Sequence, residues 1–382
     1  MLRFRIALPL LLVLVPACAA DDATTDAQDS ANAKESAPAN AKPVRSTPTN
    51  DADDASPGDV APTPATPPKP KPPFTNPVVA SSCPDPGVLA HAGTYYMTCT
   101  GGKFGIKQST DLVNWTATGS SILPDGKATW SPNGSKNWAP EIHEIGGQFI
   151  AYFTAINASN TLSIGVAKAP SPAGPFVDTG KPLVENALGA IDATQFTDDD
   201  GSRWLVYKLD GNAQQKPTPI FVRKLSDDGL AFAPGSVAKQ ILVNDPATWE
   251  GGVVEAPWVV KRDGTYFLLY SGNVYDQRYR TGVARAKSLT GAWEKHGAPI
   301  LANNDAWVGP GHGSVVQVPT ADGKSTADYF VYHAWHNAGG GAADKDKGRV
   351  VLLDRITWVK GWPQIGDGTP TVGAQPAPGE AP

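Results

Sequence analysis

Five ionisable residues, Asp85, Glu141, Asp192, Glu255 and His312, recur along this chain at intervals of 56, 51, 63 and 57 residues. Each lies in a short stretch that is otherwise largely apolar or small: CPDPGVL, WAPEIHEI, AIDATQF, VVEAPWVV and GHGSVVQV. Residues placed at one register of a repeat converge on one axis. Carboxylates gathered there are costly to bury unless they are paired or used, and acid–base chemistry is the use open to them. A single carboxylate at a strand start merely accepts backbone hydrogen bonds or caps a turn. A matched set around one axis argues against that reading.

The elements that position this set are short β runs. GTYYMTC (93–99), GQFIAYFTA (147–155), GSRWLVYKLD (201–210), GTYFLLYSG (264–272) and ADYFVYHAW (327–335) look like versions of one strand with a turn before it. A second recurring segment follows each, clearest in FGIKQSTDLVNWTATG, LSIGVAKAPSPAGPFVDTG and TGVARAKSLTGAWEKHG. Its third copy, PIFVRKLSDDGLAFAPG, is degenerate, and its fifth, GRVVLLDRITWVKGW, is truncated. Five strand–turn–strand copies of about 50–60 residues, without helical periodicity, predict an all-β, five-bladed propeller. One large sandwich is the alternative. In a propeller the first strand of each blade lines the central channel, so the five polar segments read as inner strands. Trp115, Trp293 and Trp358 recur at outer positions and read as structural.

The 382-residue chain is 41% apolar, with a net charge of −5 and a mean hydropathy of −0.26. It has no basic stripe, which excludes nucleic acid as a partner and favours neutral, polar ligands. Residues 1–18 read as an export signal, with an apolar run too short to span a membrane. Val15-Pro16-Ala17-Cys18 resembles a lipoprotein box, and Ala17-Cys18-Ala19 offers ordinary cleavage instead. The first predicts an outer-membrane or cell-surface lipoprotein, held only by a lipid at Cys18. The second predicts a secreted or periplasmic protein. Residues 19–73 are Ala-, Asp-, Thr- and Pro-rich and read as a disordered tether; 74–366 are the propeller, and 367–382 a flexible tail. Cys83 and Cys99 either pair, as an oxidising compartment favours, or remain buried thiols. The acidic run Asp198–Asp200 before Gly201 reads as a solvated hairpin turn, replaceable without loss.

From about Pro77 to Gly366 the chain resembles glycoside hydrolase family 43, a family of arabinanases, arabinofuranosidases and xylosidases. The resemblance rests on the order of CPDPGV, STDLVNW, WAPEI, IDATQF with DDG after it, VVEAPWV, PGHGSVV, YHAW and DRITWVKGWP. It implies a catalytic set of Asp85 as general base, Asp192 as the residue that tunes and orients the acid, and Glu255 as general acid. Inversion requires room for a water between base and acid, about 6.5–9.5 Å between carboxyl groups. A nearby Asp192 charge is expected to raise the pKa of Glu255.

The resemblance further marks His312 as a channel histidine that either binds a calcium ion through waters or is simply hydrogen-bonded. Trp138, Glu141, Phe196 and Arg349 join His312 as candidate substrate-binding residues. His333 and His336 either contribute near the mouth or are structural. No cofactor is required for the chemistry. Gly313 is a departure, standing where many arabinan-cleaving members carry asparagine, and bears on substrate length and linkage. No appended sandwich domain is expected after the fifth blade, and that leans towards arabinan or arabinofuranosyl substrates. The expected activity is therefore inverting hydrolysis of α-L-arabinofuranosyl linkages in plant cell-wall polysaccharide by a monomer. The alternatives are a β-xylosidase, an exo-β-galactanase, or a non-catalytic sugar-binding propeller.

Overall fold

Successive side chains of a strand point to opposite faces, and here both faces of the second strand in a blade are covered. In Gln148–Ile156, Phe149, Ala151 and Phe153 pack with Phe104 and Ile106 on one side, while Ile150 and Tyr152 pack with Leu205 and Tyr207 on the other. Thr265–Gly272 repeats the pattern: Phe267 and Leu269 face one neighbouring sheet, and Tyr266, Leu268 and Tyr270 face the other. That two-sided burial explains runs with almost no polar position.

The computed structural model describes residues 70–381. The expected signal with Cys18 and all but the last residues of the 19–73 tether lie outside the described residues. The strands form five four-stranded antiparallel sheets. Blade one holds β1 (Gly87–His91), β2 (Thr94–Thr98), β3 (Gly105–Ser109) and β4 (Thr116–Ser121). Blade two holds β5 (Trp138–Ile145), β6 (Gln148–Ile156), β7 (Leu162–Ala169) and β8 (Val177–Asp178). Blade three holds β9 (Ala190–Thr197), β10 (Arg203–Leu209), β11 (Ile220–Lys224) and β12 (Lys239–Leu242). Blade four holds β13 (Val254–Arg262), β14 (Thr265–Gly272), β15 (Arg280–Ala286) and β16 (Glu294–Lys295). Blade five holds β17 (Trp307–Pro319), β18 (Thr326–His336), β19 (Arg349–Val359) and β20 (Trp362–Ile365).

Within each sheet the strands follow in sequence order. The first strands touch in a ring, β1 to β5, β9, β13, β17 and back to β1. The fold is thus the expected five-bladed propeller. Its core is not central: five apolar clusters lie between neighbouring blades. Burying one Leu or Phe there contributes about 1.5–3 kcal/mol, so the channel itself is free to be polar.

Three features close and brace the ring. Val78 and Val79 bond to Val351, and Cys83 N–H donates to Arg349 O, which lays the entry segment along the last blade. Cys83 and Cys99 form a disulfide. The predicted flexible tail is instead packed on blade five. Gln375 pairs with Phe74, Ala377 is buried, and Gly379 N–H donates to the Tyr329 hydroxyl.

The acidic turn also differs from expectation. Asp198 accepts from the Tyr266 hydroxyl at 2.6 Å and pairs with Lys261, bolting blade three to blade four. Its side chain is only 15% exposed. The outer tryptophans are structural as expected: Trp115 donates to Leu112 O, Trp293 to Leu289 O, and Trp358 to Asp328.

Candidate active site

The inner strands break register where the polar residues stand. The pairing of β5, β9, β13 and β17 with their second strands shifts at Trp138/Glu141, at Ile191/Thr194, at Glu255/Trp258 and at Gly311/Gly313. Each shift is a bulge, a device that re-aims a side chain. The bulged residues adopt left-handed backbone: Ala139 at φ 42°, Asp192 at 55°, Ala256 at 55° and His312 at 45°. Asp85, just before β1, matches them at 55°.

This conformation costs a non-glycine residue about 1–2 kcal/mol. It also defines the true register. The position shared by Asp85, Asp192 and His312 is held by Ala139 in blade two and Ala256 in blade four. Glu255 is therefore one residue earlier, and Glu141 two residues further along the strand. The expected one-per-blade register is corrected accordingly. Glu141 pairs with His143 at 3.0 Å, and His143 stacks on Trp258.

Asp85 stands among Arg349, Thr100 and two imidazoles, and its own N–H donates to His333 Nδ1 at 3.2 Å. Arg349 donates to its Oδ1 at 2.8 Å, and Thr100 Oγ1 donates to Oδ2 at 2.6 Å. Nδ1 of His312 and of His333 lie 3.3 and 3.2 Å from Oδ1. Thr100 Oγ1 in turn accepts the Ala139 N–H at 2.7 Å, so blade two steers the carboxylate of blade one. The Cys83–Cys99 bridge ties together the two segments that carry Asp85 and Thr100. Burial alone would raise Asp85. Arg349, His312 and His333 outweigh it and hold the carboxyl well below the usual aspartate range. His333, fully buried and stacked on Tyr279, is pushed down to about 4 by burial and by Arg349, so its ring is neutral.

Asp192 and Glu255 occupy a different setting. Asp192 Oδ2 accepts the N–H of Ala256, the residue after Glu255, at 3.0 Å. Burial, reinforced by the charges of Glu255 and Asp85 against the pull of His312 and Lys208, pushes Asp192 up to about 7. Glu255 Oε2 receives Lys208 Nζ at 2.8 Å, and its Oε1 receives the Tyr279 hydroxyl at 2.7 Å. Burial would raise Glu255, yet Lys208, Tyr279 and His312 hold it below the ordinary glutamate value. The expectation that Asp192 lifts Glu255 is thus reversed. A buried ammonium outweighs the neighbouring aspartate at Glu255, while burial and the neighbouring carboxylates raise Asp192.

The remaining candidates divide. Arg349 joins the site as a partner of Asp85 and lies over the Tyr275 ring at 4.8 Å. Trp138, half-buried at the head of β5, adjoins Ala139 and carries Lys136 over its ring. Phe196 is not brought to the site. It lies four residues along β9 from Asp192 and packs on Tyr266 between blades three and four. His336 tilts against Trp307 rather than reaching the carboxylates.

Glycines in GPGHGS make room for this arrangement. A Cβ on Gly311 would meet the Tyr279 ring at 2.6 Å, and one on Gly313 would meet Val331 O. No side chain, asparagine included, fits at position 313 on this backbone.

Lys208, Tyr279, Thr100 and Tyr275 had not been singled out. Lys208 did leave a signal: it shares a strand face with the apolar Val206, where an unpaired charge is costly. The others come from the loops between strands, with no marker in their types. Among the described residues no three His, Cys, Asp or Glu side chains converge to hold a metal ion. Calcium takes six to eight oxygen ligands, and the His312 imidazole offers nitrogen turned towards Asp85, so these residues do not fit a protein-held calcium.

Comparison with known proteins agrees with this arrangement. The family model for Glycosyl hydrolases family 43 matches residues 74–363. An extracellular exo-alpha-(1->5)-L-arabinofuranosidase of Streptomyces avermitilis is 28% identical over 340 residues, covering 82% of this chain and 66% of that protein. A beta-D-galactofuranosidase of Aspergillus niger is 31% identical over 262 residues, covering 65% and 69%. The crystal structure of a thermostable family-43 glycoside hydrolase superposes with a TM-score of 0.69 at 29% identity, covering 80% of this chain and 99% of that one.

Proposed function

Because the chain belongs to glycosyl hydrolase family 43, we propose that it is an inverting hydrolase of α-L-arabinofuranosyl linkages in arabinan or arabinose-decorated plant polysaccharide. The observation that carries this reading is the opposed setting of buried carboxylates around one channel, Asp85 against Arg349, and Asp192 with Glu255 beside Lys208. Asp85 is ionised and suited to take a proton from water as that water attacks the anomeric carbon. The Asp192–Glu255 pair retains a proton near neutral pH, and a coupled pair binds its proton as a unit. Glu255 delivers that proton to the leaving oxygen as the glycosidic bond breaks, and Asp192 stores it and orients the acid. A water between base and acid gives inversion.

Both relatives described above are named for furanosides, which supports a five-membered ring. The disulfide suits an exported protein, in keeping with the reading of residues 1–18 as an export signal.

The test is a substrate panel with two variants. Arabinan should release arabinose with inverted anomeric configuration, seen by proton NMR. Xylosyl or β-galactosyl release in its place would move the assignment to those sugars. E255A should lose about 10²–10⁴-fold on natural linkages and recover on aryl glycosides with good leaving groups. D85A should recover on neither. An E255A variant with full activity on poor leaving groups would sink the acid assignment.

A further inference from the structure

A fully buried lysine beside the acid is not needed for any step above. Lys208, on β10, has no exposed surface, and its ammonium lies 2.8 Å from Glu255 Oε2 and 2.9 Å from Asp210 Oδ1. A cation taken so far from water requires compensation, and two carboxylates from separate segments provide it. The backbone of Asp210 is anchored, since its N–H donates to Gly189 O. The lysine is therefore shared between a residue that reacts and one that does not.

We propose that Lys208 and Asp210 are a positioning pair for Glu255. Lys208 locks the acid through Oε2 and sets how tightly it binds its proton, and Asp210 moderates that hold by drawing part of the lysine's charge away. The proposal rests on the hydrolase reading and deepens it.

The geometry supports the division of labour. Lys208 fixes one oxygen of Glu255 and Tyr279 the other, so the carboxyl has little freedom to rotate. The charged and titratable groups gathered around Glu255 and its partners come from blades one, three, four and five. They are Lys208 and Asp210 from blade three, Asp192 from β9, Tyr279 from the loop before β15, His312 from β17, and Asp85 from the entry to β1. Of these, only Asp210 touches Lys208 without being in the catalytic set, and it can be neutralised without removing a reacting group. Burial alone would lower the Lys208 pKa, but Glu255, Asp210 and Asp192 raise it instead. The ammonium therefore stays charged across the working range.

The consequence is a pair of opposite shifts. The basic limb of the kcat/KM profile reports loss of the acid's proton. Lys208→Met removes a positive charge next to Glu255, so the proton is held more tightly and the limb moves up, by about one to three pH units. Asp210→Asn removes a negative charge, strengthens the lysine's pull on Glu255, and moves the limb down by up to about one unit. The acid limb, set by Asp85 on the opposite wall, stays in place in both.

The experiment measures pH profiles of the wild type, K208M and D210N in the full chain. An arabinofuranoside with a poor leaving group is used first, then a dinitrophenyl one that needs no proton. Opposite shifts on the first substrate and their absence on the second are the expected result. Basic limbs that do not move, or that move together, would show a purely structural ion pair and overturn the proposal. If K208M does not fold, the downward shift in D210N, with circular dichroism matching the wild type, still decides. A wild type that hydrolyses neither substrate brings down the hydrolase reading itself, a result distinct from either of these.

Discussion

Asp85 and Asp192 share residue type, left-handed backbone at φ 55° and near-equal burial, at 8% and 7% exposure. The two walls of the channel nevertheless treat them in opposite ways. On one wall Arg349, Thr100 and two histidines surround a single carboxylate, and it stays ionised to low pH. On the other wall Asp192 and Glu255 stand near one buried lysine, which pairs with Glu255 and with Asp210. Lys208 sides with Glu255, leaving Asp192 to titrate near 7. Burial raises a carboxyl in every case. The difference lies in how many positive groups each wall supplies per carboxylate, and in which oxygen they reach. Two aspartates are thereby driven in opposite directions without any difference in residue type.

The comparison can be broken most severely by deleting its simpler side. D85N should lower kcat by about 10³–10⁴-fold on all substrates, and a good leaving group should not restore it. Next in size is a change that makes the Asp85 wall resemble the other. R349M withdraws the strongest positive group, so Asp85 rises towards ordinary aspartate values. The activity of a base is present above its pKa, and the acid limb of kcat/KM should therefore move up, by about one to two units, while the basic limb stays. An unmoved acid limb would detach Arg349 from the base.

A smaller perturbation sharpens the second wall. Y279F removes one hydrogen bond to ionised Glu255, and its basic limb should rise by about one unit or less, in the direction expected for K208M. A downward shift would mean that the Tyr279 hydroxyl accepts from Glu255 instead of donating to it. The smallest effect on catalysis belongs to D198N, which loosens the bolt between blades three and four. Its Tm should fall while both limbs remain where they are; displaced limbs would mean that the bolt reaches the channel.

The sign of pH-dependent stability follows from the same contrast. Asp85 has a folded-state pKa below its unfolded value. It therefore contributes stability above the ordinary aspartate pKa, and that contribution is lost as pH falls through the lowered one. Asp192 runs the other way: with its pKa raised to about 7, its contribution is present below the unfolded value and lost as pH rises through 7.

Much of the fold was legible because a repeat announces itself. Runs such as GTYFLLYSG are apolar at every position only if both faces are covered, and five of them imply five sheets stacked face to face. Asp85, Asp192 and His312 were legible for a related reason, as polar residues at equivalent points of apolar inner strands. Counting residues along the chain went wrong where bulges insert extra ones. It assigned Glu141 to a position that Ala139 occupies, and it drew Phe196 into a site from which the strand carries it away. Lys208, Tyr279 and Thr100 were passed over because each acts on a residue of another blade or segment. Asp198 looked solvated because its partners, Lys261 and Tyr266, are more than sixty residues distant.

By itself, then, the sequence determined the number of blades, the inner strands and the carboxylates that line them, since periodicity and polarity are properties of the chain. The protonation of those carboxylates was decided only by the tertiary structure. Electrostatic interaction depends on distance through space and on local burial. Lys208 reaches Glu255 and Arg349 reaches Asp85 only once the ring of blades has closed.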